Sequence, residues 1–126
     1  MCQMLLSINP EHTENILNGK KLFEFRKVRC KAGVDKIIIY VTAPEKMVVA
    51  EAEIEEIIEA DPQTVWERTR ELSGISYEFY EEYYKGREKA VAYKLRKVQK
   101  YPSPKPLSEF GLRYAPQSFV YLSTTT

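Results

Sequence analysis

The chain has 126 residues, 44% of them hydrophobic and 29% charged, with a formal net charge of +1. That length suits one ordinary domain, large enough to bury a core without staples, and the composition is that of a soluble globular protein. The near-neutral balance gives no support for a strong nucleic-acid binder acting through its whole surface.

Met4 to Ile8 reads as a short buried strand. Asn9 then offers a cap and Pro10 suits the first helical position, with Glu11 and Glu14 near the positive end of the dipole. Ile16 and Leu17 face a core and Gly19 fits the left-handed stop, so a helix is expected over about 10–18. Leu22 to Val28 reads as a strand with Phe23 and Phe25 on one face and Leu22, Glu24 and Arg26 on the other. The Ile-rich stretch from Lys36 to Val41, a turn at 43–46 and the alternation from Val48 to Ile54 predict a hairpin. Asp61-Pro62 opens a helix whose apolar spacing runs to Gly74, and Ser76 caps a second that ends at Gly86. Ala90 to Val98 is the next strand. Tyr101 to Pro106, with three prolines, reads as a loop unsuited to a central strand. Ser118 to Leu122 forms the last strand, and 122–126 is expected to fray. About six strands and three helices result, without the β-α-β alternation of a parallel sheet. The expectation is an α+β domain spanning 1–126, a small, mostly antiparallel barrel with helices plugging or flanking it.

The charges are unevenly spread. Ala50 to Glu82 holds eleven acidic and two basic residues, whereas Lys85 to Lys105 holds eight basic and one acidic. Such asymmetry marks either a surface that meets polyanions or two segments lying side by side, the second being commoner. Ile37 to Val41, the longest apolar run, is far too short to span a bilayer. The start, MCQMLLSINPEH, has neither a basic nor a long apolar leader region. A cytoplasmic home without membrane association is expected. Cys2 and Cys30 are expected as free thiols, and no C-x-x-C or H-x-x-x-H spacing calls for zinc or another cofactor. A Ser-His or Cys-His scheme would have to use His12, the one histidine, for which a plain surface role is expected.

Gly19, Lys21, Glu24 and Arg26 together match G-x-K-x-x-E-x-R, and the chain thereby resembles the ASCH domain family, itself similar to the PUA domains of RNA-modification proteins. The opening LSINPEHTENILNGKK and the close PLSEFGLRYAPQSFVYL extend the resemblance over nearly the whole chain. It implies a PUA-like β-barrel with a cleft lined by the motif. It also implies recognition of RNA or modified nucleosides, and for some members hydrolysis of RNA or acylated cytidines. In the branch that acts on acetylated cytidine a threonine nucleophile occupies the position of Glu24. A carboxylate does not replace an alkoxide, so that activity is disfavoured.

Glu24 and Arg26, two apart on a strand, project from one face. Arg26 offers a planar fork for phosphate or carboxylate, and Glu24 accepts from a base edge or pairs with Arg26 or Lys21. Lys21 is out of phase with them and reaches the same cleft only from an irregular turn. The plain alternative is a charged strand edge with weak surface pairs. Lys27 adjoins the motif. The basic strand Lys89, Lys94, Arg96, Lys97 and Lys100 either tracks a phosphate backbone or forms a solvated face. The stripe Phe79, Tyr80, Tyr83, Tyr84 is expected to pack on the core, with base stacking as the alternative. Gln117 and Ser118 are secondary candidates at the turn before the last strand. The leading expectation is a module that binds RNA or a nucleotide-like ligand through Lys21, Glu24 and Arg26, its protein partners unknown. The alternative is a metal-free ribonuclease or nucleoside hydrolase with Lys21 as general acid/base and Glu24 its orienter. A third is a protein-interaction domain with a vestigial cleft.

Overall fold

A computed structural model describes residues 2–123. In chain order it contains β1 (Cys2–Ile8), α1 (Pro10–Leu17), β2 (Phe23–Arg26), β3 (Val34–Val41), β4 (Met47–Ala60), α2 (Pro62–Thr69), α3 (Tyr77–Tyr83), β5 (Ala90–Lys105) and β6 (Phe119–Ser123). Short 3-10 turns follow α2 at Arg70–Leu72 and β5 at Leu107–Phe110. The three helices start on the residues expected. The side chains of Asn9, Asp61 and Ser76 accept from the backbone N–H groups of His12, Thr64 and Phe79, satisfying donors that a helix start leaves free.

The strands form one mixed sheet in the order β2-β5-β4-β3-β1-β6, curled into a PUA-like half-barrel. β1 and β3 run parallel, and the other neighbours are antiparallel. One parallel pair leaves the sheet mostly antiparallel, as expected, and its two strands, covered on both faces, read as near-continuous apolar runs. Met4, Leu6, Ile8, Ile37 and Ile39 point into the barrel with Ile16 of α1. Leu5 and Ile38 point outward, where Leu107, Phe110 and Leu112 cover them. Full burial of one such side chain contributes about 1.5–3 kcal/mol. A second cluster joins Phe23, Phe25, Ala90 and Ala92 to Val65 of α2 and to Tyr80 and Tyr84 of α3.

Three segments differ from the sequence reading. β4 continues past Ile54 to Ala60, because Ile57, Ile58 and Ala60 find partners on the start of β5. The proline-rich stretch, expected as a loop, belongs to the end of β5. Val48 pairs with Lys105 and Ala50 with Lys100, so five steps on β5 match two on β4. The exposed Pro102 and Pro104 sit in that bulge, where no ladder donor is required. Ser123, expected to fray, continues β6 and pairs with Cys2 of β1, next to the Leu122–Gln3 pair. The rest of the expected tail, 124–126, lies outside the described residues. Among the described residues no helix is long and apolar enough to cross a membrane.

Candidate functional site

The sheet begins and ends with strands that the curl brings face to face, and the motif lies at that seam. Arg26, on edge strand β2, reaches across to the other edge. Its Nη1 donates to Ser118 Oγ at 3.0 Å and to Ser118 O at 3.4 Å, and its Nη2 donates to Ser7 O of β1 at 3.0 Å. Its remaining donors turn back to Glu24 Oε2, Nε at 3.1 Å and Nη2 at 2.9 Å. The guanidinium that the sequence offered as a free anion fork is therefore a clasp, with all three of its nitrogens engaged by protein. Glu24, 6% exposed, orients the clasp with one oxygen and turns Oε1 toward Lys21.

Lys21 precedes β2 in the turn after α1, where its N–H donates to Asn15 O. That irregular backbone removes the phase conflict that strict alternation posed. The side chain is 2% exposed. Nζ donates to Ser73 O at 3.1 Å, stands 3.9 Å from Glu24 Oε1 and lies 4.7 Å from the Phe25 ring centroid. Burial lowers its pKa from the ordinary lysine value, against the opposing pull of Glu24 and with help from Arg26. Gly74, at φ +71°, lies flat on this side chain, and a Cβ there would meet Lys21 Cβ at 2.4 Å. Only glycine fits.

These residues floor a cavity of about 200 Å³. Ser7, Ile8 and Asn9 form one side, and Ile75, Phe79 and Tyr83 form the other. The aromatic stripe of α3 thus divides by i, i+4 pairs. Tyr80 and Tyr84 are core, as expected, whereas Phe79 and Tyr83 stack nearly parallel at 6.5 Å and face the cavity. His12 also faces it, contrary to the surface role expected. Its ring meets Phe79 edge-on at 5.2 Å, and its Nδ1 is shielded from solvent with no hydrogen-bond partner. Burial, then the Lys21 charge, lower its pKa below the ordinary histidine value.

The structure brings Lys21, Glu24 and Arg26 together, sets Ser118 beneath Arg26, and places Lys27 Nζ 4.7 Å from the centre of the Tyr83 ring at the cavity's aromatic side. Gln117 is exposed and does not line the cavity. Nor do Lys94, Arg96 and Lys97, which lie along β5 beside the acidic β4. Lys94 pairs with Glu55 at 3.1 Å, and Arg96 and Lys97 pair with Glu53 at 3.1 and 3.9 Å. The oppositely charged segments are neighbours, the commoner of the two readings. Sequence reasoning missed His12, Asn9, Ser7 and the Ser73 carbonyl. For His12 the available signal was its place three residues after a helix cap that directly follows a buried strand.

This fold is that of the ASCH domain, whose family profile matches residues 6–100. The chain belongs to that family. It is 37% identical to an ASCH domain-containing ribonuclease of Zymomonas mobilis over 98 residues, 77% of this chain and 66% of that protein. Its similarity to large ribosomal subunit protein uL22 of Ureaplasma parvum serovar 3 is 32% over 120 residues, 94% of this chain but 39% of that protein. The crystal structure of ASCH from Zymomonas mobilis superposes with a TM-score of 0.86 at 32% identity, covering 96% of this chain and 87% of that one.

Proposed function

We propose that the cavity binds one nucleotide unit of single-stranded RNA, with the base against Phe79 and Tyr83 and its phosphate facing Lys21. One observation carries this reading: an uncompensated buried cation beside a half-open aromatic wall. With Lys21 protonated, Lys21 and Arg26 carry two positive charges against the single negative charge of Glu24. A buried excess charge is costly and calls for a counter-ion. Phe79, 47% exposed, presents a face that any base can stack on. The cavity volume of about 200 Å³ lies below that of drug-sized sites, which suits one base rather than a longer segment. Fluorescence anisotropy with labelled short RNAs tests it. Phe79→Ala is expected to weaken binding by about 1–3 kcal/mol, roughly 5- to 150-fold. Unlabelled RNA that fails to compete, or a Phe79→Ala variant that binds as the parent does, refutes it.

His12 favours a second reading, in which the bound RNA is also cleaved. The named ribonuclease activity of the Zymomonas mobilis relative supports it. A neutral imidazole takes the 2′-hydroxyl proton, the 2′-oxygen bonds to phosphorus, and the bond to the 5′-oxygen breaks. The Lys21 ammonium, oriented by Glu24, protonates that leaving oxygen. The products are a 2′,3′-cyclic phosphate and a free 5′-hydroxyl. Burial lowers the pKa of His12, which favours the neutral imidazole a base requires, and lowers that of Lys21, which makes its ammonium the stronger proton donor to the leaving oxygen. A His12→Ala variant that binds RNA as before but yields no cyclic phosphate supports this reading. Unchanged product formation removes it.

A further inference from the structure

The cavity does not end at its aromatic wall. Beyond His12 and Phe79 opens a second hollow of about 520 Å³, and the two share those residues together with Asn9 and Ile75. The partition between them is thin. It is the Ser73-Gly74 backbone, whose Ser73 carbonyl holds Lys21 Nζ from one side and whose glycine adds no side chain to the wall. Exposed Lys20 and Arg70 stand in the second hollow, neither of them in an ion pair among the described residues. Glu11 and Glu71 line it as well.

We infer that the second hollow is a subsite for the nucleotide adjoining the one in the cavity, so that the ligand is a polynucleotide of at least two units rather than a free nucleoside. The inference rests on the cavity reading above and extends it. A phosphate at Lys21 lies against the Ser73-Gly74 partition, and the chain beyond it passes the His12–Phe79 ridge into the hollow. Lys20 and Arg70 supply cations for the next phosphate. Glu11 and Glu71 supply acceptors for ribose hydroxyl and base amino groups, which a lone phosphate site would not tolerate. The mixed charge of the hollow is thus suited to a whole nucleotide. The Lys20-Lys21 pair divides its work: one cation is buried at the cavity floor, and the other is free at the second hollow.

The test measures affinity for a 3′-phosphorylated ribonucleoside, a dinucleotide and a trinucleotide at three salt concentrations. The parent chain is compared with the Lys20→Ala/Arg70→Ala double variant, both of whose changes are at exposed positions. The parent is expected to bind the dinucleotide at least about tenfold more tightly than the mononucleotide. The double variant is expected to lose that gain, with a salt dependence for the dinucleotide lower by about one charge, and to keep the mononucleotide affinity of the parent. Equal affinity of the parent for mono- and dinucleotide overturns the second subsite while leaving the cavity reading in place. So does a double variant that loses nothing, or one that weakens both ligands equally. Failure of the parent to bind any of the three overturns the cavity reading and this one with it.

Discussion

Lys21, buried, and Arg26, half-buried, are cations of one motif, yet their surroundings assign them different duties, and exchanging each for methionine separates the two. Lys21→Met keeps an unbranched chain in the same channel and removes the charge. It forfeits one charged hydrogen bond, to Ser73 O at 3.1 Å, and the contact with Phe25. Those losses are about 1.5–3 kcal/mol and up to about 2 kcal/mol. The variant is also relieved of holding an ammonium out of water, an effective penalty of several kcal/mol. Glu24 is not abandoned, because Oε2 keeps Arg26 at 2.9 Å. The opposing contributions nearly cancel, and stability is expected to stay within about 1.5 kcal/mol of the parent. RNA binding, which needs the excess charge, falls by about 2 kcal/mol or more, roughly 30-fold. Arg26→Met does the reverse. It releases the seam from Ser7 and Ser118 and leaves the buried Glu24 with only the 3.9 Å contact to Lys21. A loss of about 3–5 kcal/mol follows. Urea denaturation of both variants, with anisotropy on the folded protein, reads the contrast. A Lys21→Met protein destabilised by 3 kcal/mol or more, or an Arg26→Met protein as stable as the parent, would refute the division of labour.

Gly74→Ala is expected to lose more than about 2 kcal/mol in urea unfolding, since it adds left-handed strain to a clash with Lys21; a neutral result would mean that the partition yields. Ser118→Ala removes the 3.0 Å acceptor of Arg26 but not the backbone one, and a loss of about 1 kcal/mol is expected from the same measurement. Stability is expected to fall as pH drops below about 6.5 toward the lowered pKa of the folded His12, because the unfolded chain takes up the proton first. Thermal melts across that window should show a slope that His12→Leu flattens, and an unchanged slope would place the titration elsewhere. Arg96→Ala with Lys97→Ala removes exposed pairs on β5, is expected to shift stability by less than about 1 kcal/mol, and should leave the salt dependence of RNA binding intact.

Local chemistry made the helix starts and the hairpin legible. Asn9-Pro10, Asp61-Pro62 and Ser76 announce helices because a cap satisfies donors that exist whatever the tertiary fold. The Leu5/Leu6 and Ile37 to Ile39 alternation was harder to read. Both faces are covered, the second by the segment from Leu107 to Leu112, so apolar residues run without a wet face to set the phase. The parallel pairing of β1 with β3 and the bulge at Pro102 and Pro104 depend on register with distant strands, which no local signal carries. The same limit hid His12. Its helical position says where the ring starts, but only α3, some 65 residues on, supplies the Phe79 ring it meets.

The spacing of the motif has a physical reason that becomes visible only once the sheet has curled. Glu24 and Arg26 must share a face, and a two-residue interval on a strand ensures it. Lys21 must not share the strand at all. At an alternating position it would extend beside Glu24 and be neutralised there. In the turn behind Gly19 its side chain comes in from the α1 end and stops at the Ser73 carbonyl, 3.9 Å from the carboxylate. One acid is therefore spent on the clasp, and one cation is left facing the cavity. A Glu24→Gln protein checks this balance. Gln still accepts from Arg26 through its carbonyl oxygen, but the negative charge is gone, so the Lys21 pKa should fall further. Isotope-edited NMR of the Lys21 ammonium, titrated in parent and variant, reads that shift, and an Nζ that titrates identically in both would show that Glu24 does not govern the charge on which anion binding is proposed to depend.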